Sequence, residues 1–163
     1  MSANPSASAE ATGGEIFIRR VLAAPRTLVF KAWTDPQHLA RWFGPNNFTV
    51  PHVALDLRVG GKWRIGIRSP EGRDYAMHGV YREIVAPERL VFTHIWEEGH
   101  DSPNHETLIT IKLAESAGKT TLTFHKAILK DLTAHASQTT GWNQCLDRLG
   151  AYMAGYAQNI QGE

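Results

Sequence analysis

Between residues 48 and 127 the chain alternates apolar and polar side chains, and from Thr139 to Tyr156 the alternation gives way to helical spacing. The clearest alternating segment is KWRIGIR, with Trp63, Ile65 and Ile67 on one side and Lys62, Arg64 and Arg68 on the other. Successive side chains of a strand point to opposite faces, so such a segment has one dry face. In HETLITIKL, Ile109, Ile111 and Leu113 share a side with His105 and Thr107, and in TTLTFHK, Leu122 and Phe124 pair likewise. Turn signals at Gly60–Gly61, 69–74, 86–89 and 115–119 cut the block into about six strands. Short connections make neighbouring strands antiparallel.

In TTGWNQCLDRLGAYMAGY the apolar residues Trp142, Cys145, Leu146, Leu149, Tyr152, Met153 and Tyr156 fall on one helical stripe. Asn143, Asp147 and Arg148 fall outside it and read as a solvated face. With Thr133 as cap, a helix over residues 133–158 would be about 35–40 Å long. A sheet with one dry face needs a cover, and no other segment has the length to supply it.

Ahead of this block, EIFIRRVL (Glu15–Leu22) is rich in β-branched and aromatic residues and reads as a strand. PRTLVFKAW reads as a short helix opening at Pro25. TDPQHLARWFGP reads as a second, capped by Asp35, begun by Pro36 and stopped by Gly44-Pro45. The predicted class is α+β: a curved antiparallel sheet wrapped around a long C-terminal helix, with two short helices after the first strand. Residues 1–14 are small, polar and rich in Pro and Gly, and read as a disordered tail. Residues 15–160 read as a single domain.

The 163 residues carry a net charge of +1 with no basic stripe, which argues against a nucleic-acid partner. No apolar run is long enough to cross a bilayer, and the N-terminus lacks the basic start and apolar core of a secretory signal. Cys145 is the sole cysteine, so nothing indicates an oxidising compartment. The expected location is the cytoplasm.

The motifs APRTLVFKAWTDPQHLARWFGP, LDLRVGGKW, HGVYREIVAPERLVFTHIW, TLTFH and TTGWNQCLDRLGAYM, taken together and in this order, resemble one family. The chain is similar to the helix-grip superfamily of START domains, polyketide cyclases and birch-pollen-allergen proteins. Within it, the chain most resembles the family named after the C-terminal domain of the activator of the ninety-kilodalton heat-shock protein's ATPase. The resemblance covers nearly everything after Gly14. It implies a cavity between the sheet and the long helix, with the two short helices near its mouth.

Candidate site residues follow from the inward faces. His105 and Thr107 could orient the polar end of a ligand in an apolar pocket, or meet water and backbone at a strand end. His94 and Trp96 share a side with Leu90 and Phe92, which makes Trp96 a flat wall or a core residue. Trp42 and Phe43 end the second short helix and read either as a gate or as a clip to the sheet. Trp142, Cys145, Leu146 and Leu149 form the stripe, and the resemblance implies that some of them border the cavity. Trp63 belongs to the same inward set. Asp56 and Arg58 read as an ion pair in a turn.

His94, His100 and His105 form no tight ligand pair, so no metal is expected. The chain has no GxSxG elbow and no phosphate-binding loop, and no cofactor is expected. The leading expectation is a binding protein for an apolar or aromatic small molecule. The first alternative is a cyclase- or aromatase-like enzyme in which His94, His105, Tyr75 or Tyr81 moves a proton. The second is a chaperone-associated or stress-response interaction domain. A homodimer and a chaperone stand as further expected partners, and catalytic residues are left unassigned.

Overall fold

The computed structural model describes the backbone of residues 7–12, 15–97, 106–128 and 135–161. Eight strands form one sheet: β1 (Ala7–Thr12), β2 (Glu15–Leu22), β3 (Thr49–Leu55), β4 (Lys62–Arg68), β5 (Asp74–Val85), β6 (Arg89–Trp96), β7 (Thr107–Ser116) and β8 (Lys119–Ile128). Their order is β1-β2-β8-β7-β6-β5-β4-β3, and every neighbouring pair is antiparallel. Helices α1 (Arg26–Thr34) and α2 (Pro36–Trp42) follow β2, and α3 (His135–Gln161) follows β8. This is the expected α+β arrangement of sheet, two short helices and one long helix. The expected cap, Thr133, lies outside the described residues.

Within the segment read as a tail, Ala7–Thr12 pair with β2 in a register running from Ala7↔Arg20 to Thr12↔Glu15. An open strand edge offers backbone donors and acceptors that any non-proline segment can meet. Such pairing needs no apolar side chain, so composition does not reveal it.

The period-two reading holds in the burial of β2, β7 and β8, whereas β6 is buried on both faces from Leu90 to His94. On β2, Ile16, Ile18 and Leu22 are buried while Glu15, Phe17 and Arg19 are exposed. On β4, Trp63, Ile65 and Ile67 point inward, and on α3 Trp142, Cys145, Leu146, Leu149 and Met153 meet them across the core. Asp35 caps α2 by accepting from the Gln37 N–H at 2.9 Å, with Pro36 next in line. The stop comes at Gly44, whose φ of 101° a residue with a Cβ rarely adopts. Pro25 stands one position before α1 as its N-cap and offers no side-chain bond. The Glu115 carboxylate, at the end of β7, accepts from the Arg26 N–H instead.

Gly79 shows how tightly the far side of the sheet is built. The Trp63 indole N–H donates to the Thr93 carbonyl at 3.1 Å, passing over Gly79, its neighbour across the β4–β5 ladder. A Cβ on Gly79 would sit 1.8 Å from that carbonyl oxygen and 2.7 Å from the indole nitrogen. Backbone cannot yield by that much, so Gly79→Ala is expected to cost about 2–3 kcal/mol or more. Urea unfolding checks this, and a midpoint equal to that of the unmodified protein would refute it.

Candidate functional site

The cover of the concave face comes in two pieces. α3 lies along the β2 and β8 side, where Arg20 and Phe124 meet its residues Asn143 and Trp142. α1 and α2 cover the rest. At the seam between the pieces is a cavity of about 20 Å³. Trp33 of α1, Leu39 of α2 and Phe43 just beyond it close one side, and Trp142 of α3 closes another. The sheet supplies the floor through Leu55, Trp63, Ile65, Tyr81, Leu90, Phe92 and His94.

The wall is mostly aromatic, and its rings meet edge to face. Phe43 lies 5.9 Å from Trp142, Trp63 lies 5.6 Å from Phe92, and His94 lies 5.8 Å from Trp142. Such pairs add about 0.5–1.5 kcal/mol each beyond the area they bury. The Trp33 indole nitrogen is buried at this wall with no hydrogen-bond partner among the described residues. Burial pushes the Tyr81 phenol well above its ordinary pKa, so Tyr81 stays protonated at neutral pH.

Four of the expected site residues therefore come together on the cavity: Phe43, Trp63, His94 and Trp142. The others stand elsewhere. Trp42 is buried behind the wall, donating to the Ala32 carbonyl at 3.1 Å and stacked edge-on against Trp33. Leu146 and Leu149 pack in the core away from the cavity. Trp96 is half-buried beside Tyr75 and His94. Thr107 opens β7 and donates its hydroxyl to the His94 carbonyl at 3.1 Å, the strand-end arrangement. His105 lies outside the described residues. Asp56 and Arg58 form the exposed turn ion pair at 2.9 Å.

Sequence reasoning missed Trp33, Leu39, Leu55, Ile65, Leu90 and Phe92 as wall residues, and it named Tyr81 only as a candidate proton carrier. Ile65 was read as inward, but nothing in spacing says which inward residue borders a void.

The polar residues of α3 depart most from expectation. Asn143, Asp147 and Arg148 read as a solvated face; Asp147 is exposed as expected and Asn143 and Arg148 are half-buried, and all three also tie α3 down. The Arg20 guanidinium donates to the Asn143 side-chain oxygen at 2.9 Å and to Asp147 at 3.0 Å. Arg148 donates to the carbonyls of Phe43, Gly44 and Pro45 at 3.2, 3.0 and 2.8 Å. The Gly44 N–H donates to the Cys145 thiol sulfur at 3.4 Å, and the Asn46 N–H to Gln144 at 3.1 Å. One face of α3 thus latches the loop that carries Phe43. Cys145 is 2% exposed and lies under Gly44 instead of on the cavity. Burial pushes its thiol up to about 12.

These features define a helix-grip protein with an aromatic seam cavity. The profile described as Activator of Hsp90 ATPase homolog 1-like protein matches residues 23–154, and the chain belongs to that family. A crystal structure of a protein from Chromobacterium violaceum is 30% identical, with a TM-score of 0.78 over 87% of this chain and 98% of that one. The AHSA1 protein of Silicibacter pomeroyi is 25% identical, with a TM-score of 0.74 over 86% of this chain and 97% of that one. An Arthrobacter aurescens protein solved by NMR shares the fold, with a TM-score of 0.80 and 22% identity over 91% of each chain. No curated protein matches the chain. No described helix is long and apolar enough to cross a membrane. Among the described residues no cluster of three or more His, Cys, Asp or Glu could hold a metal ion.

The latch has a measurable consequence. While the loop is held, the Cys145 thiol is shielded from reagents. Arg148→Met removes three bonds to the loop and keeps the apolar stem, so native-state labelling of Cys145 is expected to quicken by about tenfold or more. Labelling no faster than in the unmodified protein would mean that Arg148 does not hold the loop.

Proposed function

We propose that this protein binds an apolar, aromatic small molecule in the seam between α3 and the α1–α2 cover, over the floor of the sheet. The observation that carries this reading is the aromatic wall contributed by α1, α2, the sheet and α3 around one cavity. In its closed form the cavity has room for about one water molecule. A ligand therefore enters by displacing rings. Phe43 and Trp142 are the rings to move, because one sits on a loop and the other near the start of the described part of α3.

The driving force is modest. A ring system of tryptophan size carries about 150–250 Å² of surface, worth about 4–6 kcal/mol at 25 cal/mol per Å². Displacing protein rings and immobilising the ligand subtract from that figure. Affinity from about a hundred micromolar to millimolar is the range to search. The protonated Tyr81 supports binding over proton abstraction at this wall, since a phenol held neutral is a poor base.

The test uses N-phenyl-1-naphthylamine, an uncharged probe that fluoresces in apolar surroundings. One saturable site is expected, with quenching of tryptophan emission. Leu55 borders the cavity and is half-buried, so Leu55→Trp can fill the void at little cost to the fold. That variant is expected to bind the probe about tenfold more weakly. An unchanged affinity in a folded Leu55→Trp protein would move the site elsewhere.

A further inference from the structure

A buried indole N–H donates and cannot accept, so it needs an acceptor within reach. Two tryptophans of the core meet that need from the backbone. Trp42 donates to the Ala32 carbonyl and Trp63 to the Thr93 carbonyl, each at 3.1 Å. Trp33 does not. It is 4% exposed, and its Nε1 has no hydrogen-bond partner among the described residues. The ring stands at the end of α1, with Trp42 edge-on behind it at 4.8 Å and Phe92 of the floor at 6.4 Å. Neither neighbour carries an oxygen on its ring, and the carbonyl of the preceding residue, Ala32, is already taken by Trp42.

Trp33 is also one of the residues that line the seam cavity. Trp63 lines it too, but its N–H is committed to the sheet, whereas Trp33 brings an uncommitted donor to the wall. A buried donor left unmade is costly. A bound molecule that supplies an acceptor removes that cost, and one of the same shape without an acceptor does not. The rest of the lining decides what kind of acceptor fits. No Lys, Arg, Asp or Glu lines the cavity. A carboxylate drawn into this wall would lose its hydration with no lysine or arginine among the lining residues to replace it. A carbonyl or ether oxygen accepts a hydrogen bond without bringing a charge.

We propose that the Trp33 indole N–H is the polar anchor of the chamber, and that the bound molecule is a neutral aromatic compound whose carbonyl or ether oxygen accepts from it. This rests on the reading of the seam as a binding chamber. The rings that move to admit a ligand, Phe43 and Trp142, belong to the loop after α2 and to α3. Trp33 belongs to α1 and is backed by Trp42, so the donor keeps its place while those rings shift. A donor already fixed before the ligand arrives loses little freedom on binding. One directional bond in an otherwise aromatic wall also orients the ligand, with its oxygen at α1 and its hydrocarbon frame among the rings of the seam.

The experiment compares 2-acetylnaphthalene with 2-isopropenylnaphthalene, which share a shape and differ by an oxygen in place of a methylene group, using calorimetry on the full chain. The unmodified protein is expected to bind the ketone about tenfold more tightly than the alkene. The anionic analogue 2-naphthoate is expected to bind more weakly than the ketone. Trp33→Phe keeps a ring at the wall and removes the N–H, and is expected to bind ketone and alkene about equally. Equal affinities for ketone and alkene in the unmodified protein overturn the proposal and leave the chamber standing. A ketone preference that survives in Trp33→Phe does the same, and so does tighter binding of naphthoate than of the ketone. Failure of all three ligands to bind removes the chamber and its anchor together. Should Trp33→Phe fail to fold, nitrogen-edited NMR of the unmodified protein decides: the Trp33 indole N–H resonance is expected to move downfield with the ketone and not with the alkene, and equal shifts overturn the proposal.

Discussion

Everything in this molecule follows from one dry sheet face that must be covered by helices of unequal reach. Eight strands spaced about 4.8 Å apart make a face about 34 Å wide. α3, with 27 residues, is about 40 Å long, but it is a single cylinder about 10 Å across. One cylinder cannot fill a broad concave face, so α1 and α2 complete the cover. Two covers meeting over one floor leave a seam, and interiors are packed too closely for such a seam to go unnoticed. The cavity lies there because of that geometry, and its aromatic wall is what large flat side chains do at an irregular junction.

Holding the two covers together needs more than apolar contact, which is non-directional. The polar contacts supply the register. Arg20 fixes α3 along β2 through Asn143 and Asp147. Arg148, Cys145 and Gln144 fix α3 to the loop after α2. At the other end of α1, the Thr120 hydroxyl donates to the Ala24 carbonyl at 2.7 Å, tying the turn before that helix to β8. Arg148 meets three carbonyls at a helix end, which is where backbone acceptors lack partners. All three bonds come from one guanidinium nitrogen, Nη1.

The sequence made the sheet, its cover and the punctuation of α2 legible, because those rest on period, length and cap chemistry. Trp63, Ile65, Leu146 and Leu149 had to be inward for any fold of this pattern to work. The polar contacts of α3 were not legible for a physical reason. A hydrophobic stripe records which side chains leave water and says nothing about a polar side chain that finds a fixed partner. Asn143, Asp147 and Arg148 carry the same letters whether solvated or latched. Cys145 was misplaced in a related way: spacing put it inward, and only the path of the Gly44 loop decides that it faces a backbone N–H and not the void. The strand Ala7–Thr12 escaped notice because its pairing is a matter of backbone alone.

The contrast between latched and unlatched parts bears on how the chamber would work. The loop carrying Phe43 is held by side chains of α3, so Phe43 moves only if those bonds are broken or shifted. Trp142 is held by ring contacts with Phe43, His94 and Phe124 and by its contact with Lys126. Ring contacts are individually weak and broad in geometry, and a ligand of similar chemistry replaces them at small cost. Hydrogen bonds to backbone carbonyls are directional and costly to leave unmade. A ligand of the kind proposed would therefore push Trp142 before it pulled the loop away. The latch would keep the sheet-side floor and the Phe43 wall in place while the α3 wall yielded.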